Sequence, residues 1–364
     1  MPYDNSIVHS FSDWDRKSSV KKYISSRSFF TFTTRNNKKN LLPLDPQIFH
    51  LDPWFITGFI DAEGCFSIRV RKSKKTLIGW NVEAVFSINL HSRDLPLLKV
   101  IKAYFGGIGR ITEGKNNCGY FVSSIEQLTT VIIPHFVKYP LITQKLADFL
   151  LFRSVVNIVN TKEHLTMKGL QKIVSLKASI NLGLNDELKA AFPDTVPAVR
   201  YLAESTKILA KAKSSVNYEI PLTTPGSSKL MKVGQWMAGF VSGDGCFSVT
   251  ENKSSSKVYV RLVFNISQHS RDSSLISSFV DFFSCGVYRS TSANRTTVYF
   301  ECLSFSDNYE KIMPFFREFN IIGAKSKDFY DWCKVAKIIK AKDHLTKEGF
   351  DLVCQIKSEM NKGR

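Results

Sequence analysis

The stretch "GFIDAEGCFSI" runs from Gly58 to Ile68 and returns as "GFVSGDGCFSV" from Gly239 to Val249. Each copy is an apolar run that ends in an acid and a glycine, after which apolar residues alternate as at the start of a strand. Gly58 and Ala62 stand four apart, as do Gly239 and Gly243, so each pair shares one helix face. Small residues at that spacing let two helix backbones come close together. If the two motif helices pack on one another, their C-terminal ends lie side by side, and Glu63 and Asp244 meet there. Carboxylates at helix C-termini oppose the helix dipole and repel each other. One or more bound cations would relieve both costs. "DAEGCF" lacks the ligand ladder and distal glutamate of a calcium-binding EF-hand loop.

The likeness extends well beyond the motif. "INLHSRDLPLL" (88–98) is echoed by "ISQHSRDSSLI" (266–276), and "KEHLTMKGL" (162–170) by "KDHLTKEGF" (342–350). "IIPHFVKYPLITQKLADF" (132–149) is echoed by "IMPFFREFNIIGAKSKDF" (312–329). A steady offset of about 180 residues implies a duplicated domain rather than scattered motifs. Four regions follow: an extension at 1–48, a first copy at 49–192, a Pro-, Ser- and Lys-rich linker at 193–228, and a second copy at 229–364.

Each copy reads as a mixture of helices and antiparallel strands. Asp52 and Pro53 form an N-cap and first-turn signature, and Gly64 ends the helix they begin. Phe66, Ile68 and Val70 alternate as a strand, a basic loop follows, and "WNVEAVFSINL" returns as the second strand. A helix, two further strands near 107–123 and more helices complete the copy. The last of these helices is capped by Thr166, with Leu165 and Leu170 placed as a hydrophobic staple. Thr346, Leu345 and Phe350 repeat the arrangement, and His164 and His344 beside these caps read as structural.

Lys and Arg number 50 against 32 Asp and Glu, a net charge of +18. That excess calls for a polyanionic partner, and nucleic acid leads. No stretch reaches the ~18 uninterrupted apolar residues of a membrane span, so no membrane partner is expected. The seven cysteines are widely spaced, with no C-x-x-C pair, which argues against a disulfide framework or a zinc site. Cys65 and Cys246, at matched places, read as small buried residues rather than reactive thiols.

At "ITGFIDAEG" (56–64) and "MAGFVSGDG" (237–245) the chain resembles the LAGLIDADG homing endonucleases of the single-chain, two-motif kind. The "PLITQKLADF" and "KEHLTMKGL" segments resemble the branch found in fungal organellar introns. The resemblance implies an α+β fold of two pseudo-symmetric αββαββα domains packed through the motif helices, each with a saddle-shaped antiparallel sheet that grips duplex DNA. It implies metal-dependent double-strand cleavage at a long asymmetric target, promoting intron mobility. The last acid of each motif, Glu63 and Asp244, would hold a divalent metal, normally Mg2+ with Mn2+ as a substitute. The earlier acid is Asp61 in the first motif but Ser242 in the second, so Asp61 is not expected to be the essential ligand. Gln268 matches the family's strand-end glutamine, whereas the first copy has Leu90. Lys145 and Lys325, at matched places, would complete the catalytic set or serve as surface residues at helix starts. Arg69, Arg71, Lys72, Lys74 and Lys75 in the first copy, with Lys253, Lys257 and Arg261 in the second, are candidates for DNA binding. The matched Arg93 and Arg271 fit either local ion pairs or phosphate contacts.

Two rival functions remain at this level: an RNA maturase acting on its intron, and a DNA-binding relic without catalysis. Retention of both motif acids favours the nuclease. A second motif inside one chain replaces a partner subunit and implies a working monomer. Residues 1–48 resemble a transit peptide in their Ser and basic content, but Asp4, Asp13 and Asp15 oppose that reading. They can equally be exon read-through or an unstructured extension. A mitochondrial location is expected ahead of a chloroplast one.

Overall fold

The computed structural model describes residues 51–200, 228–254, 257–290 and 296–361. The expected N-terminal extension lies outside them, as does the linker apart from 193–200 and its last residue. Two copies of one α+β plan are present. The first runs α1 (Pro53–Glu63), β1 (Gly64–Lys72), β2 (Trp80–His91), α2 (Leu95–Tyr104), β3 (Arg110–Glu113) and β4 (Asn117–Val122). It continues with α3 (Ile133–Lys138), α4 (Lys145–Asn160), α5 (Met167–Ala178) and α6 (Asp186–Ala191). The second runs α7 (Ser228–Asp244), β5 (Gly245–Ser254), β6 (Lys257–His269), α8 (Ser273–Phe283), β7 (Val287–Ser290) and β8 (Thr297–Cys302), then α9 (Met313–Glu318), α10 (Lys325–Ala341) and α11 (Lys347–Ser358). Each copy holds a four-stranded antiparallel sheet, ordered β1-β2-β4-β3 and β5-β6-β8-β7.

Strand periodicity divides each sheet into a helix-facing side and an outer side. Phe66, Ile68 and Val70 of β1 point into the first core, and Phe247 and Val249 of β5 into the second. The cores repeat ring for ring. Phe66 packs on Phe86, Phe136, Phe149 and Phe152 at centroid distances of 5.3–5.4 Å. Phe247 meets Phe264, Phe316, Phe329 and Trp332 at 4.9–5.6 Å. Such contacts add to the burial of large apolar area. Ile142 of the first copy packs in the second core and Phe319 of the second in the first, so the two copies share an apolar boundary.

Local signals set the helix ends. The Asp52 side chain accepts from the Trp54 N–H at 2.7 Å and Pro53 follows at the first helical position. Thr166 accepts from the Gly169 N–H and Thr346 from the Gly349 N–H, both at 3.0 Å. The expected hydrophobic staples do not form fully. Leu170 and Phe350 are buried, but Leu165 and Leu345 remain 52% and 62% exposed, because a 3-10 turn at Glu163–Leu165, and its match at Asp343–Leu345, precedes the cap. Cys65 and Cys246 are half-buried rather than fully buried, and burial raises both thiol pKa values, which keeps them protonated and unreactive.

The central contact is between α1 and α7. A Cβ on Gly58 would fall 1.9 Å from the carbonyl oxygen of Trp236, and one on Gly239 would fall 2.0 Å from that of Phe55. Backbone meets backbone at both points, so neither neighbour can give way. Gly58→Ala and Gly239→Ala are each expected to destabilise the chain by at least about 2–3 kcal/mol, read as a fall in thermal or urea midpoint. A variant within 0.5 kcal/mol of wild type, roughly the limit for a neutral surface change, would contradict the close approach.

Candidate active site

Helix α1 ends at Glu63, and β1 begins at the next residue; α7 ends at Asp244, directly before β5. Crossing of the two helices brings these ends together. A Cβ on Gly243 would lie 2.4 Å from the Ala62 Cβ and 3.0 Å from Glu63 Cγ. All four small residues of the motif faces therefore lie in or beside the crossing.

Two lysines close over the same helix ends. Lys145 Nζ donates to the Ile60 and Ala62 carbonyls at 2.9 and 3.0 Å, and Lys325 Nζ donates to the Gly243 carbonyl. Cationic donors on last-turn carbonyls satisfy orphan acceptors and favour the dipole. Neither lysine is a solvated residue at a helix start. Burial lowers both ammonium pKa values while the neighbouring carboxylates, Asp61 and Asp244 for Lys145 and Asp244 and Glu63 for Lys325, hold them up. These resident cations supply part of the charge relief that the sequence had assigned to a bound metal.

The acids remain perturbed. Burial raises the Glu63 pKa, Lys325 and Lys145 pull it back, and Asp94 adds to the rise. Burial and then the Glu63 charge push Asp244 up to about 7, against the pull of Lys145 and Lys325. Gln268 Nε2 donates to Asp244 Oδ2 at 2.5 Å, and its Oε1 accepts from the His269 N–H at 3.0 Å, which fixes the amide orientation. The first copy offers Leu90 in the matched position. There a cleft of about 260 Å³ is lined by Glu63, Leu90, Arg93, Asp94 and Lys325 among others. No group of three or more His, Cys, Asp or Glu is placed to hold a metal among the described residues. Two carboxylates are a sparse set of hard oxygen donors. They suit a Mg2+ or Ca2+ ion that completes its shell with water and phosphate oxygens.

Asp61 has another task. It is fully buried and accepts from the Ile142 N–H (2.8 Å), the Thr143 N–H (3.2 Å), the Thr143 hydroxyl (2.6 Å) and Trp236 Nε1 (2.7 Å). It ties α1 to the turn before α4 and to α7, and so leaves no free face for a ligand. Ser242 does the lighter version of this work, accepting from the Ile322 N–H at 3.0 Å while donating to the Ala238 carbonyl.

The outer faces of the sheets carry some of the expected basic residues. Arg69 and Arg71 share one parity of β1 with the outward register, and Arg261 does so on β6. Arg69 is paired with Glu83 at 3.3 Å, and Arg261 stacks over Tyr259 at 4.7 Å. Lys74 and Lys75 are exposed in the β1–β2 turn. Lys72 is on the opposite parity, beside Trp80 and 3.5 Å from Glu187. Its side chain is 68% exposed but leaves β1 on the helix-facing side of the sheet, unlike those of Arg69 and Arg71. The side chains of Lys253 and Lys257 lie outside the described residues. Sequence reading missed Arg110 on β3 and Arg289 on β7, both exposed and in register with the outer faces through Phe121 and Tyr299. These strands are four residues each, too short for alternation to reveal which way a side chain points.

Known proteins place this geometry in a family. The LAGLIDADG endonuclease profile matches residues 56–156 and again 237–336, and the chain belongs to that family. It is 38% identical over 312 residues to a probable intron-encoded endonuclease of Neurospora crassa, covering 85% of this chain and 65% of that protein. A second probable intron-encoded endonuclease of Neurospora crassa is 37% identical over 308 residues, covering 83% of this chain and 53% of that protein. The chain thus spans about half to two thirds of the length of these relatives. The LAGLIDADG homing endonuclease I-SmaMI, solved bound to cleaved DNA, is 45% identical with a TM-score of 0.77, covering 86% of this chain and 98% of that one. I-SmaMI has also been solved on uncleaved DNA in the presence of calcium ions. I-GzeII in complex with its DNA target is 42% identical with a TM-score of 0.75, covering 86% and 100%.

The Asp244 environment has a measurable consequence in metal-free buffer. Its folded-state pKa, about 7, lies above the ordinary value of 3.8. The native state therefore keeps a proton that the unfolded chain releases between these values, and this contribution to stability is lost as pH rises through 7. Asp244→Asn is expected to melt higher than wild type at pH 8, with the gap closing by pH 4. An equal or lower midpoint at pH 8 would contradict the crowding of the two acids.

Proposed function

We propose that the chain is a site-specific endonuclease that cuts both strands of duplex DNA, with Glu63 serving one scissile phosphate and Asp244 the other. The observation that carries this is the meeting of one motif acid from each copy at the end of the α1–α7 contact, with a lysine at each helix end. The similarity to I-SmaMI and I-GzeII, both solved with DNA, supports the substrate class. Residues 49–192 and 229–364 act as the two half-site domains, joined by the linker at 193–228.

The donor set fits Mg2+. Glu63 and Asp244 would hold it, and when bound it would supply an activated water and charge stabilisation at the phosphoryl oxygens. The protein's own groups do the rest. Gln268 orients the Asp244 carboxylate through its 2.5 Å donation. Lys145 and Lys325 place positive charge beside the carboxylates, where negative charge builds on a cleaved phosphate. Leu90 offers no such donor to Glu63, so the two strands are served unequally. Arg69, Arg71, Lys74, Lys75 and Arg261, together with Arg110 and Arg289, are proposed to bind DNA on the outer faces, where Arg and Lys contact phosphates and guanine edges. The net charge of +18 makes that binding strongly dependent on salt.

The α1–α7 contact lies within one chain and replaces a subunit interface, so the working form is a monomer. The Neurospora crassa relatives are probable intron-encoded endonucleases, and a fungal mitochondrial intron is the proposed setting. The test is cleavage of a supercoiled plasmid bearing the intron-free junction of the host gene, in Mg2+. Wild type is expected to give linear product, and Glu63→Gln and Asp244→Asn to lose at least about 100-fold in rate while retaining DNA binding. Specific, tight binding to intron RNA with no cleavage of DNA would overturn the nuclease reading in favour of a maturase.

A further inference from the structure

The repeated "HSRD" turns lie outside the motif helices, and their carboxylates reach across to the other copy. Asp94 Oδ1, from the first copy, accepts from the Ala324 N–H at 2.7 Å. Ala324 is the N-cap position of α10, whose first residue is Lys325. Asp272 Oδ1, from the second copy, accepts from the Gln144 N–H at 2.7 Å. Gln144 is the N-cap position of α4, whose first residue is Lys145. In both helices the N-cap side chain makes no cap hydrogen bond of its own. Each helix start thus receives a carboxylate contact from the other copy, reciprocally, and α4 has a local contact as well, the Lys145 N–H donating to Thr143 Oγ1 at 3.2 Å.

The surroundings are arranged around these contacts. Within each turn His91 and His269 accept from the N–H of Arg93 and Arg271 at 3.3 and 3.1 Å, which holds the turn shape. The arginines cross the boundary as well: Arg93 Nη1 donates to the Asn361 carbonyl at 3.1 Å, and Arg271 Nη1 lies 3.6 Å from Asp148 Oδ2. At Gly323 the backbone has φ +84, and an added Cβ would fall 2.8 Å from Asp94 Oδ1. The matched residue in the first copy is Thr143, which is pinned by Asp61 instead. Each turn therefore has its own local anchor and a capping carboxylate from the far domain.

We infer that Asp94 and Asp272 are positioning residues that set, from the opposite domain, the helix starts that carry Lys325 and Lys145, so that docking of the two domains fixes where each lysine sits relative to the acid of the other copy. This rests on the nuclease reading above. The cleft that holds Glu63 contains Lys325 from the second copy and Asp94 from the first, so it is a composite of both domains. A carboxylate at the start of a helix also favours the dipole. Moving the start of α10 moves Lys325 relative to Glu63, and misplacement of a reacting group by 1 Å costs up to about 100-fold in rate.

The experiment follows both strands separately on an end-labelled duplex target, at saturating enzyme in Mg2+. Asp94→Ala is expected to slow one strand by about 10- to 100-fold, the strand that Lys325→Ala slows, and so to accumulate nicked product with DNA affinity unchanged. Asp272→Ala should slow the other strand, matching Lys145→Ala. Asp94→Asn keeps an amide oxygen as acceptor and should restore most of the rate, which a charge effect alone would not allow. Amide hydrogen exchange at Ala324 should speed up in Asp94→Ala and not in Asp94→Asn, independently of cleavage. If Asp94→Ala does not fold, Asp272→Ala and the exchange of the Gln144 amide carry the same test. Equal slowing of both strands, no slowing, or failure of Asp94→Asn to rescue would overturn the inference while leaving the nuclease intact. Absence of cleavage by wild type would remove both.

Discussion

Everything at the centre of this molecule depends on two helix backbones touching. Gly58 and Gly239 each sit against a carbonyl of the other helix, where a Cβ would fall within 2.0 Å. The contact fixes the angle and register at which α1 and α7 cross, and so fixes where their last residues end. Glu63 and Asp244 are neighbours for that reason alone. The same approach lets Trp236 of α7 donate to Asp61 of α1 at 2.7 Å, and Asp61 in turn holds the turn that leads to Lys145. One steric constraint thus propagates through a buried hydrogen-bond set to a lysine in the site.

The cost of this arrangement is electrostatic. Two carboxylates lie at helix ends, partly removed from water and close to each other. Lys145 and Lys325, held at the helix ends by the carbonyls there, offset part of that cost with their charges, yet Asp244 is still pushed up to about 7. The offset is incomplete, and an incomplete offset is what leaves such a site receptive to a cation. Replacing either acid removes the repulsion as well as the donor, so stability and function pull in opposite directions here.

Much of this was legible in the sequence because it is written in short-range patterns. The duplicated motif, the small residues four apart, the Asp52–Pro53 start, the Thr166 and Thr346 caps and the alternation in β1 all depend on neighbours within a turn or a strand. Other features depend on long-range contacts that a repeat alone does not announce. The burial of Lys145 and Lys325 requires the loop before each helix to fold back on a motif helix some 80 residues away. The Trp236 hydrogen bond to Asp61 and the contacts of Asp94 and Asp272 across the boundary require the docked pair of domains. Lys72 was grouped with its basic neighbours by charge, whereas strand parity placed it beside Trp80. Leu165 stayed exposed because the turn before Thr166 is 3-10 rather than extended.

The account stands on the coupling of one motif acid to the other across the helix contact. The direct measurement is the carboxyl titration of Asp244, followed by 13C NMR in metal-free buffer with aspartate selectively labelled, in wild type and in Glu63→Gln. A midpoint near 7 that falls when Glu63 is neutralised is the predicted result. An Asp244 that titrates in the ordinary carboxylate range, or is indifferent to Glu63, would mean that the two helix ends do not share a site.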